Sequence, residues 1–120
     1  MLRIGFSTYI ATNKRNGTLY TGHTDDLVSR GAQHYHGTFD GFSKRYNCKH
    51  IVWFEEHETR DAAFTRERQI KEWKRSWKLE LIEAFNPYWI DVIKCPMWPL
   101  PDVRVYPDLY ERCLNFALSR

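Results

Sequence analysis

Thr8–Arg30 reads TYIATNKRNGTLYTGHTDDLVSR. Phe6, Thr8 and Ile10 alternate with Ser7, Tyr9 and Ala11, the period of a strand. Asn13–Gly17 is a turn, because Asn-Gly supplies positive φ readily. Thr18–Thr21 returns as a second strand. Pairing Thr12 with Gly17 sets Tyr9 opposite Tyr20, so that both rings stand on one face at roughly 5 Å. Gly22 ends the strand, and Thr24 is the expected N-cap of a helix reaching about Tyr35, with Asp25 and Asp26 in its first turn. On that helix Leu27, Arg30 and His34 share one stripe. A core needs neither the histidine at position 23 nor the arginine at position 30. The stretch therefore reads as half of a catalytic site.

The other half lies further along. Residues 36–49 read as a loop in which basic residues are interleaved with Phe39, Phe42 and Tyr46. His50–His57 is a third strand. Thr59 caps a long helix from about Arg60 to Trp77, which continues or restarts after a kink through Phe85. Asn86-Pro87 stops it, since the residue before proline is pushed out of the helical region. The apolar stripe of this helix runs Ala63, Ile70, Trp73, Trp77 and Leu81, and the position that bridges its one gap is Glu67. A carboxylate on an inward stripe is expensive to bury unless a cation meets it. Either Arg30 forms a salt bridge with it or it holds a divalent metal, for which a hard oxygen donor suits Mg²⁺.

The chain has 120 residues and is expected to form one domain with a real core. Its three cysteines, Cys48, Cys95 and Cys113, make no CxxC, which argues for a reducing compartment and against a zinc site or disulfide framework. No apolar run approaches the ~20 residues of a membrane span, so a cytoplasmic, soluble protein is expected. The net charge is +3. Between Arg66 and Lys78 six basic residues (Arg66, Arg68, Lys71, Lys74, Arg75, Lys78) face two acids, which leaves that segment at +4 and the remainder at −1. Such a strip is the footprint of a polyanion partner or, more plainly, a solvated helix face with i,i+4 pairs. His-x₃-His spacing, a phosphate-binding G-x-x-x-x-G-K-[ST] loop and a G-x-S-x-G elbow are absent, which sets aside zinc hydrolases, P-loop enzymes and serine hydrolases.

Beyond Asp91 the character changes. Pro96, Pro99, Pro101 and Pro107 punctuate a stiff connector, and a last helix near Pro107 carries Leu109, Cys113, Phe116 and Ala117 on one face. Residues 1–92 are thus expected to be the domain and 93–120 an appendage. That appendage docks on the core or on a second copy of the chain, the latter giving a homodimer.

Ser7-Thr8-Tyr9, a short spacer, Tyr20-Thr21-Gly22, then Arg30 and a glutamate on a later helix resemble the GIY-YIG nuclease superfamily over roughly residues 3–92. The runs FSKRYNCKHIVWFEE, AAFTRERQIKEW, KRSWKLELIE and Asn86-Pro87 are most similar to its small stand-alone bacterial members, the YhbQ-like group. The domain also resembles the nuclease module of an excision-repair subunit. The resemblance implies an α+β fold, a small three-stranded antiparallel sheet flanked by helices. It also implies a Mg²⁺- or Mn²⁺-dependent endonuclease acting on DNA, with a role in repair or processing. Tyr9, Tyr20, His23, Arg30 and Asn86 would be catalytic and Glu67 the metal ligand. Ser7, Thr8 and Thr21 depart from the name-giving motif. Lys44, Arg45, Lys49, Arg68, Lys71, Lys74, Arg75 and Lys78 would hold the phosphate backbone, giving affinity without sequence specificity. The competing reading is a nucleic-acid-binding module with a relict site, with RNA open to it because the loop aromatics suit stacking on single strands. A protein-interaction role for residues 93–120 is the third.

Overall fold

Alternation along Phe6–Thr12 builds β1, and Leu19–Thr24 builds β2 beside it. The computed structural model describes residues 5–37, 41–93 and 104–118. The elements that follow are α1 (Leu27–His36), a single turn α2 (Phe42–Arg45), β3 (His50–His57), α3 (Arg60–Glu72), α4 (Arg75–Phe85) and α5 (Pro107–Leu118). The strands form one antiparallel sheet in the order β2-β1-β3, so β2 is an edge. This is the α+β architecture expected, with α2 interrupting what reads as a loop.

Period-two alternation divides the core in two. Ile10, Val52 and Trp53 meet Ile70 of α3 and Ile82 of α4 on one face of the sheet. Tyr9, Ala11 and Ile51 meet Leu27 of α1 together with Cys48 and Val92 on the other. A bulge opposite Ile10/Ala11 lets Val52 and Trp53 both enter the first cluster. Thr8, buried on the α3 side, donates its hydroxyl to the Ala63 carbonyl at 2.8 Å and ties α3 to the sheet centre.

Three boundaries differ from the sequence expectation. The hairpin closes at Thr12↔Leu19, which places Tyr9 opposite Gly22 and Tyr20 opposite Ala11. The register is two residues away from a Tyr9–Tyr20 pair because the connection is longer than an Asn-Gly turn. Asn16 takes the positive φ (58°), the Asn13 side chain accepts from the Thr18 N–H at 3.0 Å, and the Thr12 hydroxyl lies 2.8 Å from the carbonyls of both Lys14 and Thr18. A shift of two keeps every side chain on its face, so both tyrosines still share one surface.

Helix α1 starts later than Thr24, which stays paired with Ser7. Asp26 is the N-cap, its carboxylate accepting from the Ser29 N–H at 3.1 Å and thereby held below the usual carboxylate range. The long helix breaks after Glu72: Trp73 and Lys74 are extended, and Lys74 makes no side-chain cap bond. Tertiary packing fixes that break, with Trp73 on the sheet core and Arg75 donating to the carbonyls of Asn16 and Gly17, both at 2.7 Å.

Helix α5 begins at Pro107 as expected, and its Cys113 is buried within this chain, with the Tyr110 ring 6.5 Å from that of Tyr88. Pro96, Pro99, Pro101, Cys95 and Phe39 lie outside the described residues, as do the side chains of Phe42, Phe116 and Ala117. Among the described residues no helix is long and apolar enough to cross a membrane.

Candidate active site

Edge strand β2 sends alternate side chains to the two faces of the sheet, and a functional group gathers on each. On the α1 face Tyr9 is completely buried, and its ring centroid lies 6.2 Å from that of Tyr20. Between them is Gly22. A Cβ there would lie 2.7 Å from the Tyr9 hydroxyl oxygen and 3.1 Å from the Tyr20 ring. Glycine is required by this close approach rather than by its backbone angles.

Helix α1 brings His34 over both rings, at 5.4 Å from Tyr9 and 5.2 Å from Tyr20. His34 Nε2 lies 2.8 Å from the Tyr9 hydroxyl, and a second bond runs from the ring to the Cys48 backbone. Burial and the neighbouring Arg30 guanidinium push the His34 pKa down to about 4. The ring is therefore neutral at physiological pH. Nδ1–H donates to the Cys48 carbonyl and Nε2 accepts the Tyr9 proton. Burial raises the Tyr9 pKa well above its ordinary value, further than the Arg30 bond and charge lower it. Tyr20 is raised too, by burial and the Glu67 charge against Lys71 and Arg30. Both phenols hold their protons at neutral pH.

On the α3 face His23 Nδ1 meets Glu67 Oε1 at 2.6 Å, and Lys71 Nζ meets Oε2 at 2.5 Å. Glu67 is only 7% exposed, as a carboxylate on the inward stripe should be, but its partners are His23 and Lys71 rather than Arg30. The two halves feel each other: Glu67 and Lys71 act on Tyr20, and Arg30 acts on both tyrosines. Tyr9, Tyr20, His23, Arg30 and Glu67 thus converge on the β2 edge.

Asn86 does not join them. It is fully buried at the end of α4, where its Nδ2 donates to the carbonyls of Val52 (3.0 Å) and Ile90 (2.8 Å) and its Oδ1 accepts from the Ile90 N–H (3.1 Å). Every polar atom of the amide is engaged by backbone, which leaves no face for a substrate. His34 is the residue that sequence reading passed over as a helix-end histidine. Its place on the Leu27–Arg30 stripe was the available signal, since that stripe faces the core.

Arg68, Lys71, Lys74 and Arg75 are exposed along α3 and the start of α4, and Lys78 is half-buried. Burial lowers the Lys78 pKa, assisted by Arg75 and Lys71, so the positive charges crowd one another. Lys44 and Arg45 are exposed on α2, and Lys49 follows the Cys48 that bonds His34. A shallow hollow of about 430 Å³ at the α3–α4 joint is lined by Trp73, Trp77, Glu80 and Leu81 and holds none of the catalytic candidates.

Among the described residues no three His, Cys, Asp or Glu side chains gather to hold a metal. The lone Glu67 carboxylate is a hard oxygen donor that suits a divalent cation keeping most of its waters, once the Lys71 ammonium on its Oε2 moves aside. It does not fit a tetrahedral zinc centre.

A small antiparallel sheet thus gathers two tyrosines, a histidine, an arginine and a buried glutamate about one edge strand. Residues 5–80 match the family described as the GIY-YIG catalytic domain, and the chain belongs to that family. It is similar to the UPF0213 proteins of Staphylococcus aureus strains Mu3, Mu50 and N315, at 37% identity over 68 residues, which cover 57% of this chain and 83% of each relative. No solved structure matches it.

Proposed function

We propose that the chain is a metal-dependent endonuclease that hydrolyses DNA phosphodiester bonds, acting in repair or in the processing of branched or single-stranded ends. One observation carries this reading: the 2.6 Å bond from His23 Nδ1 to the buried Glu67 carboxylate, beside Tyr20 and Arg30. The carboxylate fixes the His23 tautomer and leaves Nε2 as the basic nitrogen. Nε2 takes the proton of the attacking water as its oxygen bonds to phosphorus, and the bond to the leaving oxygen breaks. Arg30 grips the non-bridging oxygens. Tyr20, protonated, donates a hydrogen bond to water or phosphate, while Tyr9, its own proton held by neutral His34, positions Tyr20 from behind. Glu67 would hold Mg²⁺ or Mn²⁺, which supplies charge to the pentavalent phosphorus centre and to the leaving oxygen. Asn86 secures the chain behind the site.

The Lys71 ammonium on Glu67 favours a second reading, a binding module whose carboxylate is neutralised internally. Nicking of supercoiled plasmid with Mg²⁺, Mn²⁺ or EDTA, with Glu67→Ala run alongside, separates the two. Metal-dependent nicking that Glu67→Ala lacks is the expected result. No product with any metal, together with salt-sensitive DNA binding unchanged in Glu67→Ala, would establish the binding module.

A further inference from the structure

Phe64 sits one helical turn before Glu67 on α3 and is 42% exposed. An isolated exposed aromatic needs no explanation. This one has chosen neighbours. Its ring lies 5.2 Å from the ring of His23, whose Nδ1 holds Glu67, so a single imidazole separates it from the carboxylate. The Arg68 guanidinium lies over the same ring, 5.6 Å from its centroid. Phe64, Arg68 and Lys71 are spaced i, i+4, i+7 and form one stripe about 10 Å long, enough for two successive phosphates of an extended strand. Arg68 and Lys71 are both exposed, and Lys71 also pairs with Glu67.

We infer that Phe64 is a stacking platform for an unpaired nucleobase of single-stranded DNA next to the phosphate to be cut, with Arg68 on the adjoining phosphate. This rests on the nuclease reading and gives it a substrate class. A phenyl ring stacks on any base, because every base has a π-face, and an arginine beside it adds charge for the backbone. Bases inside a duplex are already stacked on each other and reach such a ring only by leaving the helix. The platform therefore favours nicked, flapped or branched DNA with an unpaired nucleotide at the cut.

The test is fluorescence anisotropy in EDTA with a labelled twelve-nucleotide oligo-dT and a twelve-base-pair duplex, using wild type, Phe64→Ala and Phe64→Trp. Phe64→Ala is expected to weaken oligo-dT binding about tenfold or more while duplex binding changes less than twofold, and Phe64→Trp is expected to restore the loss. Thermal unfolding of Phe64→Ala at the wild-type temperature excludes a folding effect. Unchanged oligo-dT affinity, or equal losses on both DNAs, overturns the platform. Tighter binding of oligo-U RNA than of oligo-dT overturns the choice of DNA. Glu67-dependent plasmid nicking alongside unchanged oligo-dT affinity removes the platform and keeps the nuclease. Phe64-dependent binding without nicking under any metal keeps the platform and removes the nuclease.

Discussion

The Tyr9 hydroxyl and His34 Nε2 are 2.8 Å apart, joining the middle strand of the sheet to the last turn of α1 across 25 residues of chain. Neither group can turn to water: Tyr9 is fully buried and His34 is 2% exposed. This bond and the one from the His34 ring to the Cys48 backbone together fix the His34 tautomer.

Stability should therefore fall on acidification in a way that His34 accounts for. An unfolded histidine takes up its proton near pH 6.5, whereas His34 in the fold resists until about pH 4. Between these values the unfolded state binds more protons, so the stabilisation is complete above about pH 6.5 and is lost as pH falls toward 4. About 3 kcal/mol is at stake from a shift of this size. Urea unfolding at intervals between pH 7 and pH 4 should show that loss in the wild type and a flatter profile in His34→Gln. Identical profiles would remove His34 as the cause.

Gly22→Ala tests the close approach of the tyrosines. The added methyl would lie 2.7 Å from the Tyr9 oxygen and 2.8 Å from its Cζ, and a buried ring has little room to retreat. A loss of about 1–3 kcal/mol is expected from overpacking. DNA cleavage should drop beyond the loss in folded protein, because the Tyr9 hydroxyl is displaced. A variant with wild-type stability and rate would show that the ring yields freely.

Asn86→Ala separates a clamp from a catalytic group. It strands the buried Val52 and Ile90 carbonyls and the Ile90 N–H. A destabilisation of about 2–4 kcal/mol is expected, read as a lowered urea midpoint. At a temperature where the variant is folded, its cleavage rate per folded molecule should stay within severalfold of wild type. A rate loss of a hundredfold with stability intact would return Asn86 to the chemistry.

The family and the faces on which the candidate residues lie were legible in the chain because they depend on local order. Two tyrosines on alternating strands, an arginine on a core-facing stripe and Glu67 in the one gap of an apolar stripe are periodic facts. Periodicity assigns a face whatever the register. Alternation placed Tyr9 and Tyr20 together correctly even though their pairing is offset by two residues. The Arg66–Lys78 charge strip likewise needs only composition.

Other features depend on distance across the fold. Tyr9 faces Gly22 because Asn13 and Thr12 stabilise a longer hairpin connection than the Asn-Gly pair advertises. Glu67 is paired with His23 and Lys71 rather than Arg30 because α3 and α1 lie on opposite faces of the sheet. His34 bonds Tyr9 from the last turn of α1, and the Asn86 amide bonds backbone on every polar atom, because burial decides what a polar side chain must bond to. Burial is a property of packed elements. The sequence by itself determined which residues face which side; the tertiary structure alone decided which of them touch, since hydrogen bonds form over about 3 Å and no local pattern carries that length between segments tens of residues apart.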